Sequence, residues 1–315
     1  MCIRDSSCAP ATNVPVAPPD PVAPDPYPVA SGWENLATPT DRLRAEFDEI
    51  LADPAFANAH WGVMVQSVEN GEVLYRHNAR KLFMPASNTK LVTSSVALSR
   101  LGADFRFRTQ IASCGSIGNG SGVLGGDLIV IGGGDPAISS RFYDGDPAGA
   151  FRAWADTLKS YGVTRITGNV VGDDDLFSDT HVGPGWAWDN LGAAYSAEIG
   201  ALLLNEGAVR IQVSPGDSPG SAANVSIEPE TEYLELENMA ITTADSTGVG
   251  VWAARRPFST EAEVGGRIWT GTSSVSRFVP PHDPTAYFIT VLHETLEAEG
   301  IEVSGDPVDG DDYNG

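Results

Sequence analysis

The amino-acid sequence predicts a protein of the α/β (α+β) class with a long β-rich middle. Helical and hairpin patterns alternate over residues 40–102, and strand-like segments with Gly, Pro and Ser turns dominate residues 106–272. Helical spacing returns at 283–299. Periods near 3.6 and near 2 distinguish the two kinds of element, so the change of period marks a change of structure along the chain.

The first part of the chain reads as the opening of an α/β domain. Residues 40–52 place apolar side chains on one helical stripe behind a Thr-Asp start, at Leu43, Phe47, Ile50 and Leu51. Residues 61–68 and 73–77 form a hairpin pattern around an Asn-Gly turn. A third pattern begins with a loop at Met84 and predicts a largely apolar helix to Leu101-Gly102, which we expect to be buried.

The middle of the chain predicts strands at 106–112, 123–131 and 168–172, with one clear helix at 151–161. Residues 195–272 continue as alternating strands and turns, which indicates an all-β module. A helix at 283–299 ends before Gly300, a typical residue after a helix C-terminus.

Composition excludes several classes of partner and site. The 315 residues include 19 Lys+Arg and 42 Asp+Glu, a net charge of −23, which argues against binding to nucleic acid or to anionic lipid. No stretch approaches the roughly 18 apolar residues that a membrane span requires. The five histidines have no metal-ligand spacing, so we expect neither a metal nor another cofactor.

The N-terminal residues 1–39 are predicted to be a disordered, Pro-rich linker. Cys8 follows two serines and precedes this spacer, an arrangement typical of a lipidated, tethered surface protein. Residues 1–5 contain no apolar core of a signal peptide, so we expect the native start to be missing. Membrane association is therefore expected only through a lipid anchor at Cys8.

Ser87 and Lys90 are the strongest candidates for chemistry. They lie three residues apart at the predicted helix start, so both side chains share one face. A serine hydroxyl becomes a good nucleophile when a base takes its proton, and a desolvated lysine amine can be that base. Backbone N–H groups at a helix N-terminus also favour developing negative charge. The alternative is an N-cap serine beside a surface lysine.

Asp135 is a further candidate. It follows Gly132-Gly133-Gly134 and precedes Pro136, at the end of a predicted strand. The glycines lack the Gly-Lys-Ser/Thr ending of a phosphate loop, so a turn is the better interpretation. An exposed carboxylate there could recognise the cationic or amide end of a peptide, whereas the structural alternative is an Asp that hydrogen-bonds its own backbone.

Several stretches together resemble one family, the serine peptidase family S13 of class C low-molecular-mass penicillin-binding proteins, which are D-alanyl-D-alanine carboxypeptidases/endopeptidases. The matching stretches run in order over about 40–305: Pro85-Ala86-Ser87-Asn88-Thr89-Lys90, Gly126-Asp127-Leu128, Gly133-Gly134-Asp135-Pro136, Gly168-Asn169-Val170-Val171-Gly172-Asp173, Trp186-Ala187-Trp188-Asp189, Tyr195-Ser196-Ala197-Glu198-Ile199-Gly200-Ala201-Leu202 and Gly300-Ile301-Glu302-Val303-Ser304-Gly305.

The resemblance implies a penicillin-binding, transpeptidase-like serine hydrolase domain split by inserted β-rich modules. Its first part would occupy 40–110, the insertions 111–275, and 276–315 would begin the incomplete return to the catalytic domain. Ser87 would be the acyl-enzyme nucleophile and Lys90 its proton acceptor. The S-x-N triplet and K-T-G strand of the family are absent from this sequence. We therefore expect a C-terminally truncated chain with little activity of its own, and with apolar side chains of the Ser87 helix uncovered.

The resemblance also implies a function and a place. The expected substrates are peptidoglycan stem peptides, with β-lactam antibiotics as covalent inhibitors. The expected location is the periplasm or cell envelope, with a lipoprotein form as one alternative. Two alternatives stay open, which are a non-catalytic cell-wall binding or scaffold protein of the same fold, and another S-x-x-K hydrolase such as a β-lactamase or esterase.

Overall fold

The structure is a computed structural model that describes residues 38–113, 115–118 and 120–312. The chain divides into two compact units at Asp104 and Phe105. Most of the predicted linker, including Cys8, lies outside the described residues. No helix in the described ranges is both long and apolar enough to cross a lipid bilayer.

The first unit contains two helices and a hairpin: α1 (Pro39–Leu51), β1 (Val63–Gln66), β2 (Val73–His77) and α2 (Thr89–Leu101). The Thr38 hydroxyl oxygen accepts the Asp41 N–H and so caps α1, as the Thr-Asp start predicts. Phe47 of α1 stacks on Tyr75 of β2 at 4.8 Å, and the Tyr75 hydroxyl donates to Asp48 at 2.8 Å. These contacts attach α1 to the antiparallel hairpin, which confirms the predicted opening of the domain.

The second unit contains thirteen strands and two helices among its described residues. In chain order these are β3 (Gln110–Ser113), β4 (Val123–Leu124), β5 (Leu128–Ile131), α3 (Gly149–Ser160), β6 (Arg165–Ile166), β7 (Val170–Asp173), β8 (Val209–Ser214), β9 (Asn224–Glu228), β10 (Glu235–Thr243), β11 (Gly250–Arg255), β12 (Glu261–Trp269), β13 (Val275–Val279), α4 (Pro284–Ala298), β14 (Glu302–Val303) and β15 (Pro307–Asp309).

The strands form four sheets, with orders β15-β7-β5-β3, β14-β6-β4, β13-β8-β9 and β10-β12-β11. The first two sheets are parallel except for β3, and β13-β8-β9 is antiparallel throughout. Strand β8 alternates buried Val209, Ile211 and Val213 with partly exposed side chains, as a strand with one buried face should.

Helices α3 and α4 pack together beside the parallel strands β7 and β15. Phe151 of α3 meets Phe288 of α4 edge-to-face at 4.8 Å, and both rings are fully buried. The side chain of Asp283 accepts the Ala286 N–H and caps α4, whose first residue is Pro284. The core of the second unit therefore forms between this helix pair and its sheets.

Strands in the segment predicted to begin the return of the catalytic domain, 276–315, pair with strands of the predicted insertions. Strand β13 pairs with β8, β14 with β6 and β15 with β7, and the predicted boundary at 275/276 stays a prediction. The described part of 276–315 therefore belongs to the same unit as 111–275. The predicted strand at 123–131 is also two short strands, β4 and β5, in different sheets.

A buried ion pair between Arg255 and Glu198 joins distant segments of the second unit. Arg255 Nη2 donates to Glu198 Oε1 at 3.0 Å, and its side chain is fully buried while that of Glu198 is 4% exposed. Arg255 also donates to the carbonyl oxygens of Pro280 at 2.7 Å and Leu191 at 3.3 Å. Burial lowers the pKa of Arg255, and the nearby Glu198 opposes that shift.

Glu198 has further partners at the start of α4. His282 Nδ1 lies 3.0 Å from both of its carboxylate oxygens, and the Asp283 N–H donates to Oε2 at 3.0 Å. The Tyr233 hydroxyl donates to the His282 carbonyl at 2.6 Å, which ties a further loop to the same point. Removing one partner of such a pair leaves a buried charge without compensation.

Substitution of Glu198 tests this network. We expect Glu198→Ala to lower the free energy of unfolding by about 3–5 kcal/mol, because Arg255 would stay buried without its carboxylate. The measurement is urea unfolding of the 315-residue chain followed by circular dichroism. Glu237→Ala is the matched control, since Glu237 is 61% exposed and should leave the midpoint nearly unchanged. Equal losses in the two variants would contradict the assignment.

Candidate active site

The structure brings Ser87 and Lys90 together at the start of α2. Ser87 is the middle residue of a 3₁₀ turn, Ala86–Asn88, and Lys90 is the second residue of the helix that follows. Lys90 Nζ lies 3.3 Å from Ser87 Oγ, within hydrogen-bond distance. The predicted geometry of the pair is therefore present, and their catalytic roles stay a prediction.

The backbone before Ser87 has an unusual conformation. Ala86 has φ of 45°, in the left-handed region that alanine rarely occupies. The Asn88 N–H donates to the Pro85 carbonyl at 2.9 Å, which closes the turn around Ser87. Within the described residues the Ser87 N–H has no hydrogen-bond acceptor. Strained backbone is concentrated at functional sites, and here it presents both the hydroxyl and the N–H of one residue.

Helix α2 is exposed along its whole length, which the expectation of a buried helix did not anticipate. None of its 13 residues is buried within the described residues. Leu91, Val92 and Leu98 are 69%, 65% and 62% exposed, which confirms that apolar side chains of this helix are uncovered. The interpretation as a buried helix is wrong here because apolar composition predicts burial without supplying the surface that covers the helix.

Lys90 is exposed as well. A lysine acts as a base only in its neutral form, and removal from water is the usual way to favour that form. The described residues hold the amine in position beside Ser87 but do not desolvate it. The structure therefore shows the geometry of the pair, with the Lys90 side chain in contact with water.

Asp135 has the contact of a turn residue. Its Oδ1 accepts the Ala137 N–H at 2.9 Å, and the residue is half-buried instead of exposed as expected. An Asp that bonds the backbone two residues on is the usual stabiliser of such a turn. A role in substrate recognition stays a prediction, which an unchanged KM in Asp135→Ala would contradict.

An acidic cluster that the sequence did not indicate lies at the end of the β7–β15 pair. Carboxylate oxygens of Asp174, Asp309 and Asp311 all lie within 4.8 Å of one another. The Thr285 hydroxyl donates to Asp174, and the Asp311 N–H donates to Asp309 Oδ1 at 3.0 Å. Hard cations bind such oxygens, but acidic groups often meet without an ion, and we assign none here.

Burial raises the pKa of Asp309 to about 6, and the charges of Asp174, Asp283 and Asp311 act in the same direction. The parallel pairing of β15 with β7 brings these residues together from distant parts of the chain. The signal in the sequence is two short acidic runs, 173–175 and 309–312, whose proximity depends on that pairing.

A family model matches most of the chain. The model described as the D-Ala-D-Ala carboxypeptidase 3 (S13) family matches residues 43–312. A D-alanyl-D-alanine carboxypeptidase from Actinomadura sp. (strain R39) is 32% identical over 271 residues, which cover 84% of this chain and 48% of that protein. The chain thus spans about half the length of this relative.

Solved structures show the same fold. The crystal structure of penicillin binding protein 4 (DacB) from Haemophilus influenzae is similar with a TM-score of 0.64 and 22% identity, over 79% of this chain and 53% of that one. A structure of the same protein in complex with a β-lactam gives a TM-score of 0.57 at 19% identity, over 78% of this chain and 51% of that one. The likeness confirms the predicted fold class, a penicillin-binding fold with added β-rich modules.

We expect substitution of Asp309 to increase stability in a pH-dependent way. The pKa of Asp309 is raised from 3.8 to about 6 in the folded protein, because ionisation is disfavoured there. Ionised Asp309 therefore destabilises the fold, and this loss of stability develops as the pH rises from about 4 to above 6. Asp309→Asn should therefore stabilise the fold at about pH 7.5, by about 1 kcal/mol after allowance for partial exposure, and much less at about pH 4.5.

The measurement is the thermal midpoint of both proteins at the two pH values. Asp306→Asn is the matched control, because Asp306 is an exposed aspartate in the same segment. A gain for Asp309→Asn that is equal at both pH values, or that the control shares, would show that ionisation of Asp309 is not the cause.

Proposed function

Because the chain belongs to the D-Ala-D-Ala carboxypeptidase 3 (S13) family, we propose that it provides the nucleophile and base of a serine-type D-Ala-D-Ala carboxypeptidase/endopeptidase. The observation that carries this proposal is the 3.3 Å approach of Lys90 Nζ to Ser87 Oγ at the start of α2. The substrates would be stem peptides of peptidoglycan, and β-lactams would be covalent inhibitors. The carboxypeptidase name of the Actinomadura relative supports the reaction.

The proposed reaction uses Ser87 in two steps. Ser87 Oγ attacks the carbonyl carbon of the D-Ala–D-Ala peptide bond while neutral Lys90 takes the hydroxyl proton. The C–N bond then breaks, the proton passes to the leaving amine, and terminal D-Ala departs from an ester on Ser87. Water hydrolyses this ester and releases the shortened peptide as a carboxylate. In the endopeptidase reaction the leaving amine belongs to a cross-linked peptide.

The Ser87 N–H would stabilise the tetrahedral intermediate. The strained turn after Ala86 leaves this N–H without an acceptor in the described residues, so it can receive the oxyanion. One donor of this kind is typically worth about 10²–10³ in rate, and acyl-transfer sites usually employ two. With one described donor and an exposed Lys90, we expect slow acylation by the 315-residue chain.

A β-lactam presents the same target to Ser87. Ser87 Oγ attacks the carbonyl carbon of the ring amide, and the C–N bond of that amide then breaks. The hydroxyl proton passes through Lys90 to the ring nitrogen, which leaves an ester on the serine with the amine still attached to it. The complex of the H. influenzae protein with a β-lactam supports this expectation. A covalent adduct of known mass therefore reports directly on the nucleophile.

We propose that the protein acts in the cell envelope, because its proposed substrate lies there. The Cys8 motif and the Pro-rich segment after it support a lipid-anchored form. Fractionation of cells that express the protein from its own gene, with metabolic labelling by a fatty acid, would detect this form. Recovery of unlabelled protein from the cytosol would contradict both statements.

Substitution of the pair tests the mechanism. We expect Ser87→Ala to lose the penicilloyl adduct entirely and Lys90→Ala to acylate at least about 10²-fold more slowly, because a positioned base typically contributes 10²–10⁴. Lys90→Arg is the matched control for charge, and it should be as slow as Lys90→Ala because arginine does not deprotonate. Intact-mass spectrometry after incubation with benzylpenicillin measures all three variants beside the unsubstituted protein.

Two outcomes would contradict the proposal. A penicilloyl adduct on Ser87→Ala would move the nucleophile elsewhere, and full acylation by Lys90→Arg would remove Lys90 as the base. Release of D-Ala from a D-Ala-D-Ala peptide, measured beside penicillin turnover, separates a carboxypeptidase from a β-lactamase. Absence of both reactions would favour a cell-wall scaffold.

A further inference from the structure

The second unit contains a cavity of about 490 Å³ that the proposed chemistry does not use. Its walls are formed by the turns around Arg141 and Glu206, by Arg210 of β8, and by the exposed rings of Tyr195 and Phe278. Ligand pockets typically measure 300–1,000 Å³, so the cavity is large enough for a small organic ligand.

One wall of the cavity is built by an unusual backbone. Asn205, Glu206 and Gly207 have φ of 50°, 61° and 67°, three consecutive residues in the left-handed region. The Asn205 side chain holds this turn from both sides, because Oδ1 accepts the Ser140 N–H at 2.8 Å and Nδ2 donates to the Pro147 carbonyl at 2.8 Å. Strained backbone that is held so firmly points to a function for the surface it shapes.

The charges on the walls cancel. Arg141 binds Glu206 through two nitrogens, and Arg210 binds Glu228 across the β8–β9 pair. The contact with Arg141 lowers the pKa of Glu206, so the carboxylate stays ionised near neutral pH. In a chain with a net charge of −23, this cavity offers paired donors and acceptors with no net charge. A ligand rich in hydroxyl and amide groups matches such walls better than a strongly charged one.

Two aromatic rings stand open to solvent at the cavity. Tyr195 is 78% exposed, and its hydroxyl donates to Asn190 Oδ1 at 2.8 Å, which fixes the ring. Phe278 of β13 is 51% exposed. Pyranose rings present C–H groups on their faces and hydroxyls at their edges, so they pack on aromatic rings while hydrogen-bonding to arginine and carboxylate groups.

We propose that this cavity binds a neutral saccharide, namely the N-acetylated hexosamine glycan to which stem peptides are attached. The saccharide class follows from the neutral walls and the two exposed rings. The choice of this glycan rests on the proposed function. The cavity would then hold the polymer, while Ser87 acts on the peptide that the polymer carries.

The experiment measures binding without catalysis. N,N′-diacetylchitobiose and its tetramer are titrated into the 315-residue chain and followed by NMR shifts of aromatic and arginine side chains. We expect saturable shifts, at least tenfold weaker binding in Phe278→Ala, and retained binding in Phe278→Trp. Tyr161→Ala is the matched control, since Tyr161 is an aromatic residue 71% exposed that does not line the cavity.

The outcomes separate this proposal from the proposed function. Binding of the oligosaccharide that Phe278→Ala weakens and Tyr161→Ala does not would support the glycan site, even if penicillin acylation failed. Lack of saturable shifts at millimolar tetramer, or equal binding by all variants, would overturn it. Shifts caused by diaminopimelate but not by either oligosaccharide would also overturn it, because the ligand would then be a charged peptide end.

Discussion

The buried contact between Arg255 and Glu198 is the constraint on which the second unit most depends. Both side chains are almost completely removed from water, and neither could be buried alone without a large loss of free energy. The pair brings the end of β11 to the segment around Glu198, and the contacts of His282 and Asp283 with Glu198 bring the start of α4 to the same point. The carbonyl groups that accept from Arg255 and the backbone N–H that donates to Glu198 make this arrangement specific. The same segment carries Tyr195 on its exposed side, so the inner ion pair and the outer cavity share one piece of backbone.

The first unit has a different balance of forces. Its hairpin and α1 share a small packed contact at Phe47 and Tyr75, whereas α2 has no buried residue in the described structure. Most helical stability in proteins comes from burial of an apolar face, and α2 has such a face without a described cover. Ser87 and Lys90 thus stand on the least packed helix of the described chain. Their spacing is determined locally by the helix. Desolvation of a lysine base depends instead on a surface that packs against Leu91, Val92 and Leu98.

The sequence predicted those elements whose formation depends on residues close together in the chain. The Thr-Asp start and apolar stripe of α1, the Asn-Gly hairpin and the spacing of Ser87 to Lys90 each depend on neighbours within a few residues, and the structure contains all of them. Long-range pairing was not predictable in this way. Nothing in the sequence near β15 indicates that this strand adds to β7, so the contact between Asp174 and Asp309 could not be predicted. The cavity was not predictable for the same reason, since Arg141, Tyr195 and Phe278 lie far apart in the sequence and meet only in the folded unit.

The proposed substrate, peptidoglycan, is a polymer, so a site for its glycan would add to what Ser87 contributes. Binding of the glycan would make capture of each attached peptide an intramolecular event, and the effective concentration would then depend on the segment that joins glycan and peptide. Binding free energy at the glycan would lower KM, and it would raise kcat only if the peptide bond were also held better in the transition state than in the ground state. A neutral cavity is suited to lowering KM in this way, since a protein with 42 acidic residues gains little from electrostatic attraction to a polymer that carries carboxylates. Saccharide packing on Tyr195 and Phe278 is short-ranged and largely independent of salt, so it would persist where long-range attraction is absent.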